Sequence, residues 1–171
     1  MNRIAIKSLL VIAVLAFSSQ ISIAQKVGFL STNEVLLGMT EVKQANSKLE
    51  ILEAQLSKQG DAMIQKAQNK LVKAQEDYQK GLLTAQDVAR LESELLKEEQ
   101  EIQKFGSSAQ EDLAKKRQEL FEPILVKIDE AIQEIVTEDG LSYVFDASIG
   151  ALLYADDSLD ITDKVKAKLG M

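Results

Sequence analysis

Between residues 40 and 137 the apolar positions recur at helical spacing, and the recurrence falls into two stretches. The first runs through Val42, Ala45, Leu49, Leu52, Leu56, Gln59, Met63, Ala67, Leu71, Ala74 and Tyr78, close to 3.6 residues per step. The second runs through Val88, Leu91, Leu95, Glu98, Ile102, Phe105, Ala109, Leu113, Lys116 and Leu120. If the chain doubles back, Tyr78 faces Val88, Leu71 faces Leu95, Met63 faces Ile102 and Leu52 faces Leu113, about a symmetry point near residue 82 or 83. That point falls in Lys80-Gly81-Leu82-Leu83-Thr84, where Gly81 ends one helix and Thr84 with Asp87 caps the next. The pattern predicts an antiparallel helical hairpin with arms of about 40 residues, each roughly 60 Å long.

The flanks are patterned differently. Residues 26–31 (Lys-Val-Gly-Phe-Leu-Ser) read as a strand, and Ser31-Thr32-Asn33-Glu34 has the spacing of a capping box before a short helix over residues 35–39. Pro123 either kinks the second arm or starts a new helix. Ile124, Ile128, Ala131, Ile132 and Ile135 then form a stripe that packs on a body, and Gly140 suits the end of that helix. Residues 142–146 and 151–155 read as two strands of a hairpin, and Asp160-Ile161-Thr162-Asp163 caps a final short helix. The expected fold class is mainly α with a small β body, from which the hairpin projects as a coiled-coil tentacle. The body comprises residues 25–40 and 122–171, and the arm residues 41–121 with its tip near 80–84. Three short strands cannot bury both faces of a sheet, so the body is expected to be completed by oligomerisation. Val27, Phe29, Val144, Phe145, Leu152 and Tyr154 are assigned to its core or subunit interface.

The first 24 residues lie outside this plan. Arg3 and Lys7 precede an apolar run from Leu9 to Phe17, and Ser22-Ile23-Ala24 resembles a cleavage site. Nine apolar residues are too few to cross a bilayer, which takes about 20, so the segment is a cleaved export signal. No cysteine follows it to carry a lipid. Of the 171 residues, 20 are basic and 27 acidic; without Arg3 and Lys7 the exported chain has 18 bases and a net charge of −9. That sign disfavours nucleic acid. Lacking Cys and His, the chain cannot build a thiol nucleophile, a disulfide, a Cys or His zinc site or a Ser-His-Asp triad. No catalytic residue, metal or cofactor is expected.

The seam between the arms is impure. Gln59, Glu98 and Lys116 interrupt it, alanine recurs, and no Trp anchors it. Gly60 and Gly106 stand at the same height on the two arms and are candidates for a shared hinge, since each helix-interior Gly costs about 1 kcal/mol relative to Ala.

In their order along the chain, the Lys-Val-Gly-Phe-Leu-Ser strand, the charged hairpin, Gly140-Leu141-Ser142-Tyr143-Val144-Phe145-Asp146, Leu153-Tyr154-Ala155-Asp156, Asp160-Ile161-Thr162-Asp163-Lys164-Val165 and Lys168-Leu169-Gly170 resemble the Skp (OmpH) periplasmic chaperones. The resemblance spans the exported chain. It implies a homotrimer whose strands form a shared body, with three hairpins around a cavity, and an ATP-independent holdase for unfolded outer-membrane proteins crossing the periplasm. The best-known members of the family are basic, with a proposed lipopolysaccharide site; this chain is acidic and carries no matching motif. Residues 66–97 nevertheless hold six bases against five acids, so the acidity lies away from the tip. Apolar contact is therefore the expected basis of client binding, with Met63, Leu71, Leu82, Leu83 and Val88 as candidate contacts, and contact with a membrane surface stays open. A second reading is a structural or adaptor coiled coil of the envelope with one fixed partner. An enzyme would have to rely on Asp156, Asp157, Asp160 and Asp163, which lack the Gly and distal Glu of a calcium loop and suit turns and helix caps better.

Overall fold

The computed structural model describes residues 25–171, and the expected export signal lies outside the described residues. In chain order come strand β1 (Val27–Leu30), helices α1 (Thr32–Gly38), α2 (Thr40–Gln79) and α3 (Ala85–Asp139), strand β2 (Tyr143–Asp146), single 3-10 turns at Ala147–Ile149 and Asp157–Leu159, and helix α4 (Thr162–Lys168). Helices α2 and α3 are the two arms of the expected hairpin. Pro123 does not begin a new helix, because α3 runs through it without a break.

The two strands pair in parallel, with Val27 opposite Tyr143 and Leu30 opposite Asp146. A parallel pair requires a crossover between its strands, and here the whole hairpin is that crossover. On the other side of β1, Phe29 bridges Asp160, and the Ile161 N–H donates to the Phe29 carbonyl at 2.8 Å. The second strand expected over residues 151–155 does not form, and neither does its hairpin with β2. Gly150, at φ 71°, turns the chain away from β2, and the free lane beside β1 is taken by Asp160. Residues 151–155 thus have no ladder to join; Leu153 is 97% exposed and Tyr154 86%.

One apolar cluster holds the base together. It joins Leu30 of β1, Val35 and Met39 around α1, Val42 and Ala45 of α2, Ile124, Ile128, Ala131 and Ile135 of α3, and Ile161 and Val165 around α4. Gly28 fits closely beside it: a methyl group there would lie 3.1 Å from a Leu141 methyl, which would have to give way slightly.

The free N–H groups at the start of α1 are satisfied largely from the far end of the chain. Ser31 Oγ accepts from the Glu34 N–H at 3.3 Å, while Ser148 Oγ accepts from the Asn33 N–H at 2.9 Å. Asp146 Oδ1 accepts from the Thr32 and Ser148 N–H groups at 3.3 and 2.8 Å. Partial burial pushes the Asp146 carboxyl up, but the hydrogen bonds from Ser148 and Thr32 outweigh it and hold the group below its ordinary value near 3.8. Thr162, buried at the start of α4, accepts from the Ser31 N–H at 3.0 Å and donates to Asp160 Oδ1 at 2.5 Å.

Ile135→Ala, which empties a site 2% exposed, is expected to lower unfolding free energy by about 2–5 kcal/mol. Leu125→Ala, on the open face of the same helix, should cost well under half of that in the same chemical denaturation series.

Candidate functional site

The tip is built from two complementary helix ends. Gly81, at φ 71°, closes α2: the Leu82 N–H donates to the Asp77 carbonyl at 2.9 Å and the Gly81 N–H to the Tyr78 carbonyl at 3.0 Å. Thr84 and Asp87 form a reciprocal capping box at the start of α3, with the Asp87 N–H on Thr84 Oγ1 at 3.2 Å and the Thr84 N–H on Asp87 Oδ2 at 3.1 Å. The Thr84 hydroxyl and N–H together hold the Asp87 carboxyl below its ordinary range.

Below the tip the arms meet along a seam. Every position expected on α3 is at least partly covered, including Glu98 and Lys116. On α2 the expected stripe drifts. The covered residues are Val42, Ala45, Leu49, Leu52, Leu56, Gly60, Met63, Ala67, Lys70, Ala74 and Asp77, so Gly60, Lys70 and Asp77 replace Gln59, Leu71 and Tyr78. Leu71 is 53% exposed and Tyr78 65%. For Leu71 and Tyr78 the reason is the repeat length. Paired helices keep a common seam at about 3.5 residues per step, and a 3.6 reading gains a whole residue over ten steps.

Lys70 therefore enters the seam and meets two acids of α3. Its Nζ donates to Glu98 Oε1 at 2.8 Å and Glu94 Oε2 at 3.0 Å, and Lys66 approaches Glu98 at 3.9 Å. The Glu98 side chain is only 16% exposed, and its Oε2 is buried without a partner. The Glu98 and Glu94 hydrogen bonds raise the Lys70 pKa, and the bond from Lys70 lowers that of Glu94.

The two candidate hinge glycines have different surroundings. A methyl group at Gly60 would meet the Phe105 ring at 3.4 Å, whereas one at Gly106 would meet nothing within 4 Å. Phe105 thus fills the gap that Gly60 leaves in the seam.

Of the candidate contacts, Leu71 and Leu82 are exposed on the distal arm; Met63, Leu83 and Val88 are half-buried. The sequence stripe hid Ile64 and Tyr78, which share Leu71's flank of α2 at seven-residue intervals and are likewise exposed. Counting at 3.5 rather than 3.6 residues per step would have found them. In the base, Val27, Phe29, Val144 and Leu152 are half-buried, while Phe145 and Tyr154 are exposed with Tyr143, Ile149 and Leu153. The aspartates serve turns: Asp156 Oδ1 accepts from the Ser158 N–H at 2.9 Å, and Asp160 Oδ1 from the Thr162 N–H at 2.7 Å.

The Lys70 layer gives a test by double-mutant cycle. Lys70→Leu alone leaves the largely buried Glu98 carboxylate with only the more distant Lys66 as a cation and should loosen the arms. Lys70→Leu combined with Glu98→Leu should recover the loss, read as hydrogen-exchange protection around Glu98. Glu94, with its pKa lowered, contributes above its unfolded value near 4.5 and loses that contribution as pH falls through the folded value; Lys70, raised, contributes below 10.5 and loses it above. Protection should be level between those limits and fall beyond either, and the double variant should flatten the acid limb.

Residues 26–169 match the family model described as outer membrane protein (OmpH-like). The chain is 25% identical over 152 residues to the chaperone protein Skp of Yersinia enterocolitica, covering 88% of this chain and 90% of the relative. To the chaperone protein Skp of Pectobacterium atrosepticum it is 22% identical over 152 residues, covering 89% and 90%. Among solved structures, the OmpH-like protein of Caulobacter crescentus CB15 superposes with a TM-score of 0.72 at 17% identity, over 85% of this chain and 84% of that one. At that identity the superposition speaks for the fold.

Proposed function

The chain belongs to the OmpH-like outer membrane protein family, and we propose that it is an ATP-independent periplasmic holdase that keeps unfolded outer-membrane proteins from aggregating. The observation that carries this reading is a family match over residues 26–169 on a hairpin whose distal surface exposes separate apolar side chains. The curated relatives are chaperones rather than enzymes. A holdase requires modest, dispersed apolar surface on an adaptable frame, so that many clients bind weakly. Ile64, Leu71, Tyr78 and Leu82 supply such surface, and Met63, Leu83 and Val88 would join them where the arms part. The sequence has no Gly-x-x-x-x-Gly-Lys phosphate loop.

The working form in this reading is a homotrimer. Residues 25–40 and 122–171 form its body and residues 41–121 the arm, so that three arms enclose the client. Two short strands are a poor sheet by themselves, and exposed Tyr143, Phe145, Ile149, Leu153 and Tyr154 give neighbouring subunits apolar surface to cover. Export by a signal over residues 1–24 would deliver the chain to the periplasm. Gly60 and Gly106 would let the arms flex.

Two measurements test this reading. The exported chain should have three times its monomer mass in solution, and at a few-fold excess it should suppress aggregation of an unfolded outer-membrane barrel without nucleotide. A monomer that gives no protection would sink the proposal, and a single stoichiometric partner from envelope extract would favour an adaptor.

The hinge is tested by substitution. Gly106→Ala, in open space, is expected to stabilise the arm by about 0.5–1 kcal/mol, and Gly60→Ala less, because its methyl meets Phe105. The double variant should narrow the distance distribution between spin labels on tip and body. An unchanged distribution would mean that the glycines are only tolerated.

A further inference from the structure

The 3.5-residue seam gives the distal hairpin two unlike sides. Lys70 reaches Glu94 and Glu98, and Lys66 approaches Glu98, so the side of α2 that carries Lys66 faces the side of α3 that carries Glu94. Residues seven apart keep to one side of such a pair. Lys66, Lys73 and Lys80 of α2 therefore stand with Asp87, Glu94 and Glu101 of α3, and this side is charge-paired. The opposite side brings Ile64, Leu71 and Tyr78 of α2 next to Glu92 and Glu99 of α3, with Leu96 between the two acids; all six are exposed. Gly60 lies against Phe105, and Lys70 against Glu94 and Glu98. That register sets Ile64 within about two residues of the height of Glu99, and Leu71 within about two of Glu92, roughly 3 Å along the arm. Between residues 61 and 104 every base stands on the paired side or, for Lys70, in the seam. Neither Glu92 nor Glu99 has an ion-pair partner among the described residues.

We infer that this unpaired side docks extended segments of unfolded polypeptide in which apolar residues alternate with lysine or arginine. Side chains of an extended chain point alternately to its two sides. Packed helices have axes about 8–10 Å apart, so a backbone laid over the seam has one helix within side-chain reach on its left and the other on its right. One set of side chains then meets Ile64, Leu71 and Tyr78, while the other set meets Glu92 and Glu99. The lengths agree. The row from Ile64 to Tyr78 is about 21 Å long, which about seven residues of extended chain span at roughly 3.3 Å each. Four apolar side chains fall along that row and three bases along the acids, whose heights lie within it. Charge selects in the same sense: the exported chain is net negative, and an arriving base has no resident cation to displace from either acid. This inference rests on the holdase reading and specifies which client segments are held and where.

The test uses the exported protein and three labelled twelve-residue peptides in which Val and Tyr alternate with Lys, with Gln or with Glu. The Lys peptide should bind most tightly, with an affinity that falls as salt rises. Glu92→Gln combined with Glu99→Gln should weaken it roughly threefold to tenfold and leave the Gln peptide unchanged. Glu111→Gln combined with Asp112→Asn removes the same charge from exposed positions lower on α3 and should alter neither peptide. Replacing Ile64, Leu71 and Tyr78 together by Gln should weaken both peptides, whereas Val72→Gln, exposed on the outer face of α2, should weaken neither. If the triple variant loses helicity, Leu71→Gln and Glu92→Gln singly give the same comparison with smaller shifts. Binding of the Glu peptide as tight as that of the Lys peptide overturns the inference, and so does equal weakening by the two acid pairs, which would mean general attraction to a negative protein. Unchanged peptide binding by the side-specific variants, or loss of self-association as their only effect, overturns it too. The holdase reading is judged separately: protection of an unfolded barrel by wild type and side-specific variants alike defeats the docking side alone, and no protection by wild type defeats the holdase.

Discussion

Everything that projects from this molecule depends on one small piece of buried surface, where two four-residue strands lie side by side and four helices converge on them. The strands contribute few hydrogen bonds, so apolar packing sets their register: Leu30 and Val144 turn toward the helices, and Ile135, Val35 and Val165 close the centre. Polar links complete it. The start of α1 is hydrogen-bonded by Asp146 and Ser148, and Thr162 joins the end of β1 to the start of α4. Because those partners come from opposite ends of the chain, the base cannot form in halves.

The arms obey a different economy. Away from the base the seam mixes leucine, isoleucine and methionine with alanine, glycine, a lysine held between two glutamates and one phenylalanine ring. Small side chains bring the helices close but bury little area, and a half-sheltered carboxylate offsets part of what is gained. Helix continuity, well-made ends and a modest seam together keep an arm of some 60 Å extended while leaving its outer surface chemically varied.

Much of this was legible in the sequence. The tip could be placed because Gly81, Thr84 and Asp87 act locally, and local rules carry over to the folded chain. The β1 strand, the left-handed Gly140 and the α3 stripe were legible for the same reason. The strand expected over residues 151–155 was misread because a strand is defined by its neighbour, and nothing in Ala-Leu-Leu-Tyr-Ala says that Asp160 occupies the lane beside β1. Leu71 and Tyr78 were misplaced by a tenth of a residue per step, an error invisible over two turns and decisive over ten. The Lys70 layer lay beyond reach for a related reason: the seam assignment that hid it had already turned Lys70 outward.

The parallel pairing of β1 with β2 also bears on how the chain finds its fold. More than a hundred residues separate the two strands, and closing so long a loop at random would be slow. The hairpin removes that difficulty if it zips from its tip, since each added turn pairs residues only slightly farther apart than the last. By the time the arms are closed, β1 and β2 have been delivered to one another with only a short gap left to bridge. The arm that reaches outward in the finished protein would then be, during folding, the splint that brings its own base together.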